Sequence, residues 1–556
     1  MIEEGLLTGF DPTLIKDEKA REGYILLLNL VEELKAENER LRAENQRLRD
    51  ELNRLKGEQG KPEIKGKTQR KVRKHSSEAE RRRAQKSKSR KERKGGKAVR
   101  IDQVKRVELD RSTLPADAVF KGYERAVVQD LRIESNNILF LKEKFYSASE
   151  RKTYIAPQPA GYEGQFGPTI KALTLTFYYS CHMTEPKILE FFHNMGVEIS
   201  SGEVSNLVIK GQERFHAEKT AIYRAGLESS PWQQSDWTTM RVNGQNYYTH
   251  IVCNPLYAAY FTKKGKDRLT ILEVLRNSDR REYLLNEEAF SLLAAQGLSR
   301  VKQQQLQGLK DETLYSEREF LALLDTQPFS LGSSQRRQVL TAAAIAAYHA
   351  QEEWPVIDLL LVDDAPEYRW LTSKRALCWV HEGRHYKKLM PFIEHHRHQL
   401  DATINAFWSY YGDLLAYKEQ PSAEKKDALA ARFRELFGQK TSYWLLDERL
   451  GLTLAKEEFL LRVLDHPEIP LHNNAAELAA RARVRKRKIS YGARTEEGAQ
   501  AWDTFMTISE TGKRLGVSFY HYIRDRIVGE YRLPSLADLI RQRALEMNLG
   551  LSWQYP

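Results

Sequence analysis

A short apolar run, VIDLLLV at residues 356–362, constrains the fold most strongly, and Asp363 and Asp364 follow it directly. The run is too short and too continuous for an amphipathic helix, and it fits a strand that is buried on both faces of a sheet. Ligands of open α/β sheets bind at the carboxyl ends of such strands. The run therefore predicts an α/β core with carboxylates at its functional edge.

Another carboxylate, Asp236, lies upstream in the sequence QQSDWTTMRVNGQNYYTHIVCNPLYAAYFTKKGKDRLTILEVL. Three strand-like runs alternate there with turns at Asn243-Gly244 and Asn254-Pro255, and a helix follows. A carboxylate on the first strand of such a unit is the opening of a ribonuclease H-like fold. We therefore expect an α/β ribonuclease H-like catalytic core.

A third carboxylate, Glu477, lies in IPLHNNAAELAARARVRKRK at residues 469–488, a strong helix former that Asn473 or Asn474 can cap. Three carboxylates can hold two Mg²⁺ ions for phosphoryl transfer, and Mn²⁺ can replace Mg²⁺. Asp236 would bridge both ions, Asp363 would bind one and Glu477 the other. The six basic residues after Glu477 predict contact with a phosphodiester: Arg481, Arg483, Arg485, Lys486, Arg487 and Lys488.

Leucine recurs at every seventh residue near the N-terminus, at Leu27, Leu34, Leu41, Leu48 and Leu55. With these leucines at heptad position d, Asn38 and Asn45 take position a, a pairing that specifies two-stranded coiled coils. Glutamates at position g would face basic residues at position e of a parallel partner. The pattern predicts a parallel homodimer, and the alternative is a solvated helix that packs on its own domain.

The net charge of +12 is concentrated in one segment. Residues 61–100 hold 18 Lys plus Arg and four acids, so subtracting +14 from +12 leaves −2 for the other 516 residues. Arg81, Arg82 and Arg83 lie in this segment, which lacks large apolar side chains and is predicted to bind DNA phosphates without reading sequence. The alternative is a solvated linker. A basic-zipper factor is disfavoured because its basic helix precedes the zipper.

The middle of the chain predicts two small modules. Short β-type runs, AVVQDLRIE and NILFLKEKFY, precede PKILEFFHNMGVEISSGEVSNLV, which has helix–turn–helix spacing with Gly196 in the turn. Helical hairpins with no DNA role have the same spacing. The expected organisation is a coiled coil at 20–57, a basic disordered linker at 58–103, a small β-containing module at 104–165, a helical module at 166–228, a catalytic domain at 229–510 with helical insertions at about 277–353 and 400–466, and a helical tail at 511–556.

The chain resembles transposases of the insertion sequence sixty-six family, which have a DDE catalytic domain. The match lies in SDWTTMRV, in VDDAPEY followed by ALCWVHEGRHYKKL, and in IPLHNNAAELAARARVRKRKISYGARTEEGA. The resemblance implies that Asp236, Asp363 and Glu477 are catalytic and that the protein cleaves transposon ends and transfers strands with Mg²⁺. Asp363 is preferred over Asp364, since only one of two adjacent strand residues can face the site and Tyr368 then falls where the family has its tyrosine.

The resemblance places Cys378–His381 on a strand edge between the second and third acids. Members of the family usually carry a cysteine zinc module before the catalytic domain, but residues 101–160 contain no cysteine, so no zinc is expected. The three cysteines of the chain contain no CxxC, which excludes a four-cysteine zinc site and indicates a reducing compartment. No secretory signal and no apolar run of ~18 residues are apparent, so we expect a cytoplasmic, nucleoid-associated bacterial protein without membrane contact.

Several histidines require separate interpretations. HEGRH at 381–385 matches the zinc protease pattern, but it follows a strand-like run and contains Gly383, which disfavours that function. His381 and His385 are interpreted as polar groups near DNA or the active site, or as core-edge residues. His395, His396 and His398 are expected to be solvated on a polar helix, with metal binding as the alternative. Aromatic residues of 401–466 are expected in a core, although some could stack on flipped bases.

The sequence thus favours a dimeric DNA transposase whose partners are the element ends, a target and accessory proteins of the same element. The alternatives are a ribonuclease H-like nuclease without strand transfer and a catalytically inactive DNA-binding regulator.

Overall fold

The computed structural model of this chain describes residues 11–55, 100–110, 113–115, 117–547 and 549. Most of the predicted basic linker, including Arg81, Arg82 and Arg83, lies outside these residues. Its role in DNA binding stays a prediction from sequence.

The strands of the described residues form three sheets. In chain order they are β1 Lys144–Ser147, β2 Lys152–Ile155, β3 Trp232–Val242, β4 Gln245–Cys253, β5 Ala258–Lys263, β6 Glu282–Leu284, β7 Leu314–Ser316, β8 Leu359–Val362 and β9 Lys374–Leu377.

The central sheet has the strand order β5-β4-β3-β8-β9. β3, β4 and β5 are antiparallel neighbours, whereas β8 runs parallel to β3 and β9 runs parallel to β8. The β3–β4 turn uses Asn243 and Gly244 at φ angles of +47° and +74°, which asparagine and glycine tolerate best. All four residues of β8 are buried, as the apolar run predicts. This mixed sheet fits a ribonuclease H-like domain.

Helices make up most of the remaining regular structure of the described residues. They are α1 Glu18–Leu55, α2 Pro168–Leu175, α3 Glu185–Asn194, α4 Ser201–Ile209, α5 Glu213–Glu228, α6 Arg268–Leu275, α7 Glu287–Ala295, α8 Arg300–Leu306, α9 Glu317–Asp325, α10 Ser333–His349, α11 Trp379–Tyr386, α12 Glu394–Glu419, α13 Ala423–Gly438, α14 Trp444–Leu454, α15 Glu457–Leu460, α16 Arg462–Asp465, α17 Asn474–Ser490, α18 Glu496–Leu515, α19 Phe519–Val528 and α20 Leu536–Glu546.

Helix α18 closes the edge of the central sheet at β5. Asp503, Thr507 and Thr511 recur every four residues and therefore face the same way. Their side-chain oxygens accept hydrogen bonds from the backbone N–H groups of Thr262 (2.6 Å), Tyr260 (3.1 Å) and Ala258 (3.3 Å). An edge strand leaves these donors unpaired, so the helix satisfies them and blocks pairing with another strand.

Both predicted insertions are largely helical. Helices α7 to α10 and the small sheet β6–β7 follow α6, and helices α12 to α16 lie between β9 and α17. The aromatic residues of α12 and α13, such as Phe407, Tyr410 and Phe433, are buried and contact one another, which leaves them no surface on which to stack a base. In the tail, Arg541 of α20 pairs with Glu228 of α5 at 3.3 Å.

The chain divides into two compact units, of which the second comprises residues 75–157 and 189–200. Its regular structure includes the hairpin of β1 and β2. The predicted β-type run at 126–134 forms no strand, and only the last three residues of the run at 137–146 belong to β1. Val128 and Leu131 of the first run are largely exposed, so no sheet partner stabilises a strand there. Along the chain, α3, a left-handed Gly196 and α4 follow the predicted helix–turn–helix order.

Helix α1 spans the predicted heptads and belongs to the first unit, with the central sheet. Its Asn29 amide donates to the Ser442 carbonyl (2.8 Å) and accepts from the Trp444 N–H (3.0 Å). The Glu32 carboxylate accepts from the backbone N–H groups of Phe392 and Ile393, both at 2.7 Å, at the start of α12. Helix α1 is therefore anchored to the second insertion of its own chain.

The expectation that His395, His396 and His398 are all solvated is wrong for His396. Its side chain is fully buried, lies 3.2 Å from Glu32 and stacks on Tyr443 with ring centroids 4.8 Å apart. The reason is that α1 covers this face of α12, a contact between segments distant in the sequence. Within the described residues, no helix combines the length and the apolar composition that crossing a bilayer requires.

Candidate active site at the ends of the central strands

Two of the predicted carboxylates lie side by side on neighbouring parallel strands. Gln234 of β3 pairs with Leu361 of β8, and extending this register by two residues places Asp236 beside Asp363. Neighbouring strands lie about 4.8 Å apart, and paired residues point to the same face. Asp236 also pairs with Ile251, which packs against α17, so this shared face is the one that α17 covers.

Asp364 has a different environment, as the alternation of strand residues predicts. The Lys456 ammonium lies 2.7 Å from its carboxylate. Asp363 instead accepts a hydrogen bond from the backbone N–H of Ala365 at 3.2 Å, and burial raises the pKa of its carboxyl group. Asp364 is thus neutralised by a lysine, and Asp363 is available to a cation.

The segment before α17 is tied by two hydrogen bonds to β3 and by two more to the start of α11. The Gln234 amide donates to the His472 carbonyl (2.8 Å), and the Asn473 amide donates to the Ser235 carbonyl (2.7 Å). On the other side, the Asn473 N–H donates to Cys378 Sγ (3.3 Å) and the Trp379 N–H donates to the Leu471 carbonyl (3.0 Å). These contacts fix the beginning of α17 next to the strand that carries Asp236.

Alanines hold the rest of α17 close to the sheet. Ala476 and Ala479 pack with Ile251 and Tyr260 in one buried cluster, and the Tyr260 hydroxyl donates to the Ala479 carbonyl at 3.0 Å. Small side chains permit this close approach between helix and sheet. Glu477 lies in the first turn of α17, so it is carried to the face that Asp236 and Asp363 share.

Glu477 is surrounded by basic side chains. Arg384 of α11 and Arg481 of α17 each place a guanidinium nitrogen 3.4 Å from Glu477 Oε2. His381 Nε2 lies 3.7 Å from Oε1 and accepts a hydrogen bond from Arg384 at 2.9 Å. Glu477 Oε1 is itself buried without a hydrogen-bond donor among the described residues.

The electrostatics of the site favour a bound cation. Burial, together with the negative charges of Asp363 and Glu477, raises the pKa of the Asp236 carboxyl to about 7. Carboxylate oxygens are the ligands that Mg²⁺ and Mn²⁺ prefer. The repulsion among these acids and the unpartnered Oε1 of Glu477 therefore fit a divalent cation. As they stand, however, no three acidic, histidine or cysteine side chains of the described residues are close enough to hold a metal.

Cys378 has the properties of an interior thiol. It is buried, it accepts the hydrogen bond from Asn473, and burial raises its pKa to about 11. A thiol with this pKa stays protonated at neutral pH, which disfavours a thiolate ligand for zinc.

The HEGRH motif lies on a helix, α11, which begins at Trp379, directly after β9 ends at Leu377. The expectation that Cys378–His381 lie on a strand edge is therefore wrong. Gly383 permits the close packing of α11 against α12, because a Cβ at this position would lie only 2.6 Å from the Trp408 side chain. Glu382 is not free to act as a base, since its carboxylate contacts Arg449, the Thr453 hydroxyl (2.6 Å) and Lys456 (3.0 Å).

The predicted DNA-binding residues of α17 fall into three environments. Arg481, Arg485 and Lys488 are exposed, and Arg487 is bound to the Thr239 hydroxyl of β3 at 2.6 Å. Lys486 is buried, donates to the Tyr178 carbonyl at 2.8 Å, and lies 3.1 Å from the centre of the Tyr178 ring. The prediction that Lys486 contacts DNA is thus corrected, because its side-chain nitrogen faces the interior. The same correction applies to Arg483, which is fully buried and pairs with Asp503 at 2.7 Å.

Arg384 and Asn473 are contributors that the sequence did not assign to the site. Arg384 lies in the run ALCWVHEGRHYKKL, in which only the histidines were predicted to lie near DNA or the active site. Asn473 was expected only as a helix cap, whereas its side chain bonds to β3. A basic residue one turn after His381 was the available signal for Arg384.

Comparison with known proteins agrees with this geometry. Residues 343–501, which include β8, β9 and α17, match the model of a family described as "Transposase IS66 family". The chain is 31% identical over 324 residues to "Uncharacterized protein y4jO" of Sinorhizobium fredii (strain NBRC 101917 / NGR234), covering 58% of this chain and 100% of that protein. The matched region contains Asp363 and Glu477 together with the helix that presents Arg384. The chain belongs to the transposase IS66 family.

Proposed function

We propose that the chain is a DNA transposase that binds the ends of an insertion sequence and cleaves and joins DNA strands by two-metal phosphoryl transfer. The observation that carries this proposal is the convergence of Asp236, Asp363 and Glu477 on one face of the central sheet, where Asp363 and Glu477 raise the pKa of Asp236. Three carboxylates close together repel one another, which destabilises the folded chain, and bound divalent cations would remove this repulsion.

In this proposal Asp236 would hold both Mg²⁺ ions, Asp363 one and Glu477 the other, and Mn²⁺ can replace Mg²⁺. The ions, when bound, activate the attacking oxygen and stabilise the leaving oxygen of the phosphodiester. The chain's own groups orient these ligands: the hydrogen bonds of Gln234 and Asn473 fix the approach of α17 to β3. No zinc is part of the proposal.

Exposed basic residues beside the acids would bind the DNA backbone. Arg481, Arg485 and Lys488 present their side chains on α17, and Arg487 lies along β3. Outside the described residues, Arg81, Arg82 and Arg83 would add contacts that depend on salt but not on sequence. The hairpin of β1 and β2, and separately the helices α3 and α4, would each contribute contacts to DNA.

Helix α1 would pair with the α1 of a second copy through its leucines. Leu28, Asn29 and Glu32 are buried against the same chain, whereas Leu27 and Leu34 are 60% and 71% exposed. The two sets lie on different faces of the helix, so intramolecular docking and dimerisation are compatible. We also propose that accessory proteins of the same element bind this chain and that it is located at the bacterial nucleoid.

The dimer is tested by sedimentation equilibrium of the purified chain. Leu34→Ser on the exposed face should convert a dimer to a monomer, because it places a hydroxyl in the coiled-coil seam. Leu26→Ser, at a partly exposed position outside the seam, is the matched control and should stay dimeric. A wild-type chain that is monomeric at micromolar concentration contradicts this part of the proposal.

The chemistry is tested by incubating the protein with labelled DNA from the borders of its element, a target plasmid and Mg²⁺. Joined products should form with the wild type and be lost in Asp236→Asn and Glu477→Gln, while binding to the ends is retained. Nicks without joined products would favour a ribonuclease H-like nuclease. Binding without any metal-dependent chemistry would favour an inactive DNA-binding regulator and contradict both enzyme functions.

A further inference from the structure

Glu477 is held by two arginines that are themselves half open to solvent. The side chains of Arg384 and Arg481 are 46% and 64% exposed, and both contact the same oxygen, Oε2. The Glu477 side chain is only 12% exposed. The carboxylate is therefore enclosed, but the cations that hold it can be reached from outside.

We propose that Arg384 and Arg481 restrain Glu477 in the free protein and release it when a DNA phosphate binds them. This inference rests on the proposed function, since it assigns Glu477 to a metal ion during the reaction. Arg384 and Arg481 are thereby positioning residues. They couple DNA binding to completion of the metal site.

The argument begins with competition for one carboxylate. A carboxylate bound by two guanidinium groups has much of its charge neutralised, so it attracts a further cation less strongly. Both contacts are long at 3.4 Å, and exposed ion pairs of this kind contribute little stability. The restraint is therefore weak enough to be exchanged.

A phosphodiester is a suitable competitor for these arginines. Guanidinium groups bind phosphate oxygens through paired hydrogen bonds, and the exposed Arg485 and Lys488 lie further along the same helix as Arg481. DNA that follows this basic face passes Arg481 and would meet Arg384 across Glu477. Each guanidinium that turns to a phosphate leaves more negative charge on Glu477.

The geometry of Glu477 Oε1 supports the same exchange. This oxygen is buried and has no hydrogen-bond donor in the described residues, although the carboxylate lies close enough to Asp236 to raise its pKa. His381 stands 3.7 Å away, and its ring nitrogen is already occupied by a hydrogen bond from Arg384. Oε1 thus has no hydrogen-bond donor among the described residues, while the arginines hold Oε2.

A reciprocal effect follows, because coupling between two ligands acts equally on both affinities. DNA should raise the affinity for a divalent cation, and the cation should raise the affinity for DNA. The free protein would then hold an incomplete metal site, which is consistent with the absence of three metal-competent side chains in contact among the described residues.

The test measures Mn²⁺ binding to the full chain by electron paramagnetic resonance of the free ion, with and without a short duplex of the element's terminal sequence. A 3′-dideoxy terminus on the duplex prevents joining, and a titration of the duplex alone gives the Mn²⁺ that DNA itself binds. In the wild type, DNA should strengthen Mn²⁺ binding by about tenfold, the combined effect expected of two exposed ion pairs.

The variants separate this coupling from general electrostatics. Arg384→Gln with Arg481→Gln should bind Mn²⁺ more tightly without DNA, and the effect of DNA should fall below about threefold. Arg384→Lys with wild-type Arg481 should retain the coupling, because an ammonium can also hold Glu477. Arg485→Gln is the matched control: it lies two helical turns from Glu477, so it should weaken DNA binding but keep the tenfold coupling.

Equal Mn²⁺ affinity of the wild type with and without DNA would overturn the inference and leave the proposed function intact, provided that Asp236→Asn lowers that affinity. A coupling that persists in the double variant would also overturn it. If the wild type binds no Mn²⁺ in either state, the proposed function fails and this inference fails with it. Thermal unfolding of each variant verifies that its fold is unchanged.

Discussion

Two glutamates, Glu382 of α11 and Glu477 of α17, have similar partners but different surroundings. Glu382 is 3% exposed, and its partners Arg449 and Lys456 are 11% and 16% exposed. Glu477 also interacts with two basic residues, but they are half exposed and 3.4 Å away. The Glu382 contacts to Thr453 and Lys456 measure 2.6 Å and 3.0 Å.

The difference shows how one kind of ion pair can serve two purposes. The closed network of Glu382 leaves no room for a ligand, and Lys456 extends it to Asp364, so it fastens the second insertion to the end of β8. The open network of Glu477 lies beside two further acids and can exchange its partners. Burial of the cations, rather than the identity of the residues, distinguishes the Glu382 pairs from the Glu477 pairs, to which we assign a role in function.

Replacing Glu382 should have the largest effect on stability. Glu382→Gln keeps the volume but leaves Arg449 and Lys456 without one buried countercharge, which should lower the free energy of unfolding by about 3 kcal/mol. Urea denaturation of the purified protein measures this loss. The exposed Glu458→Gln is the control, for which a change within about 0.5 kcal/mol is expected. Equal effects of the two substitutions would contradict the structural role of Glu382.

Replacing Glu477 should strongly reduce strand joining and have a smaller effect on stability than replacing Glu382. Glu477→Gln should lower the rate of strand joining by about 100-fold or more, since it removes the charge of a proposed metal ligand. Its free energy of unfolding should fall by no more than about 1.4 kcal/mol, because the two arginines that pair with it are half exposed. Glu496→Gln, in the first turn of α18, is the matched control for the joining assay. Full joining activity of Glu477→Gln would remove it from the catalytic set.

Lys486 is a buried basic side chain that, unlike Arg449 and Lys456, has no close contact with a carboxylate among the described residues. Burial lowers its pKa from 10.5 to about 6, so at pH 7 to 9 the folded chain has lost a proton that the unfolded chain retains. Stability should therefore rise with pH across this range, with a contribution from Lys486 of up to about 1.4 kcal/mol per pH unit. Below about pH 6 both states are protonated and the contribution becomes constant.

The variant Lys486→Met should lose this slope and be more stable than the wild type near pH 7, because folding then no longer removes a proton from a lysine that is charged in the unfolded chain. Urea denaturation at pH 7, 8 and 9 measures the difference, which should shrink as the pH rises. The exposed Lys488→Met should keep the wild-type pH profile. A parallel profile for Lys486→Met would show that the lysine is charged in the folded state.

The smallest effect is expected at Glu32. Glu32→Gln removes a negative charge from the N-terminus of α12 but keeps one oxygen acceptor for Phe392 and Ile393, so a loss of about 1 kcal/mol is expected. Thermal unfolding provides the measurement, and the exposed Glu33→Gln serves as the control. A loss confined to Glu32→Gln supports the anchoring of α1 to its own insertion, and no loss would contradict it.

The elements of the fold that follow from local pattern are predictable from the sequence. The run at 356–362 predicts a buried strand and the structure has β8 there; Asn243 and Gly244 predict the turn between β3 and β4. Periodicity and turn preference depend on a few neighbouring residues, which the sequence displays directly. Residues 126–134 show the limit, because β propensity alone produced no strand without a partner.

The candidate site is predictable in part for the same reason. Asp236, Asp363 and Glu477 could be chosen from their positions on the expected elements, and the structure brings those elements together. The interior position of Lys486 was not predictable, since a lysine in a basic run has the same local pattern whether it faces solvent or Tyr178. His396 was missed similarly, because Glu32 lies far from it in the chain.

The sequence by itself determined a helix with heptads, a carboxylate-bearing strand and hairpin, a buried strand that ends in two aspartates, and a helix that begins near Glu477. Only the tertiary structure decided which aspartate meets Lys456, which arginine from another helix meets Glu477, and which glutamate is enclosed. Those choices depend on contacts between residues far apart in the chain. Local sequence specifies the elements through backbone geometry, whereas packing decides which charges are buried together and which stay within reach of DNA.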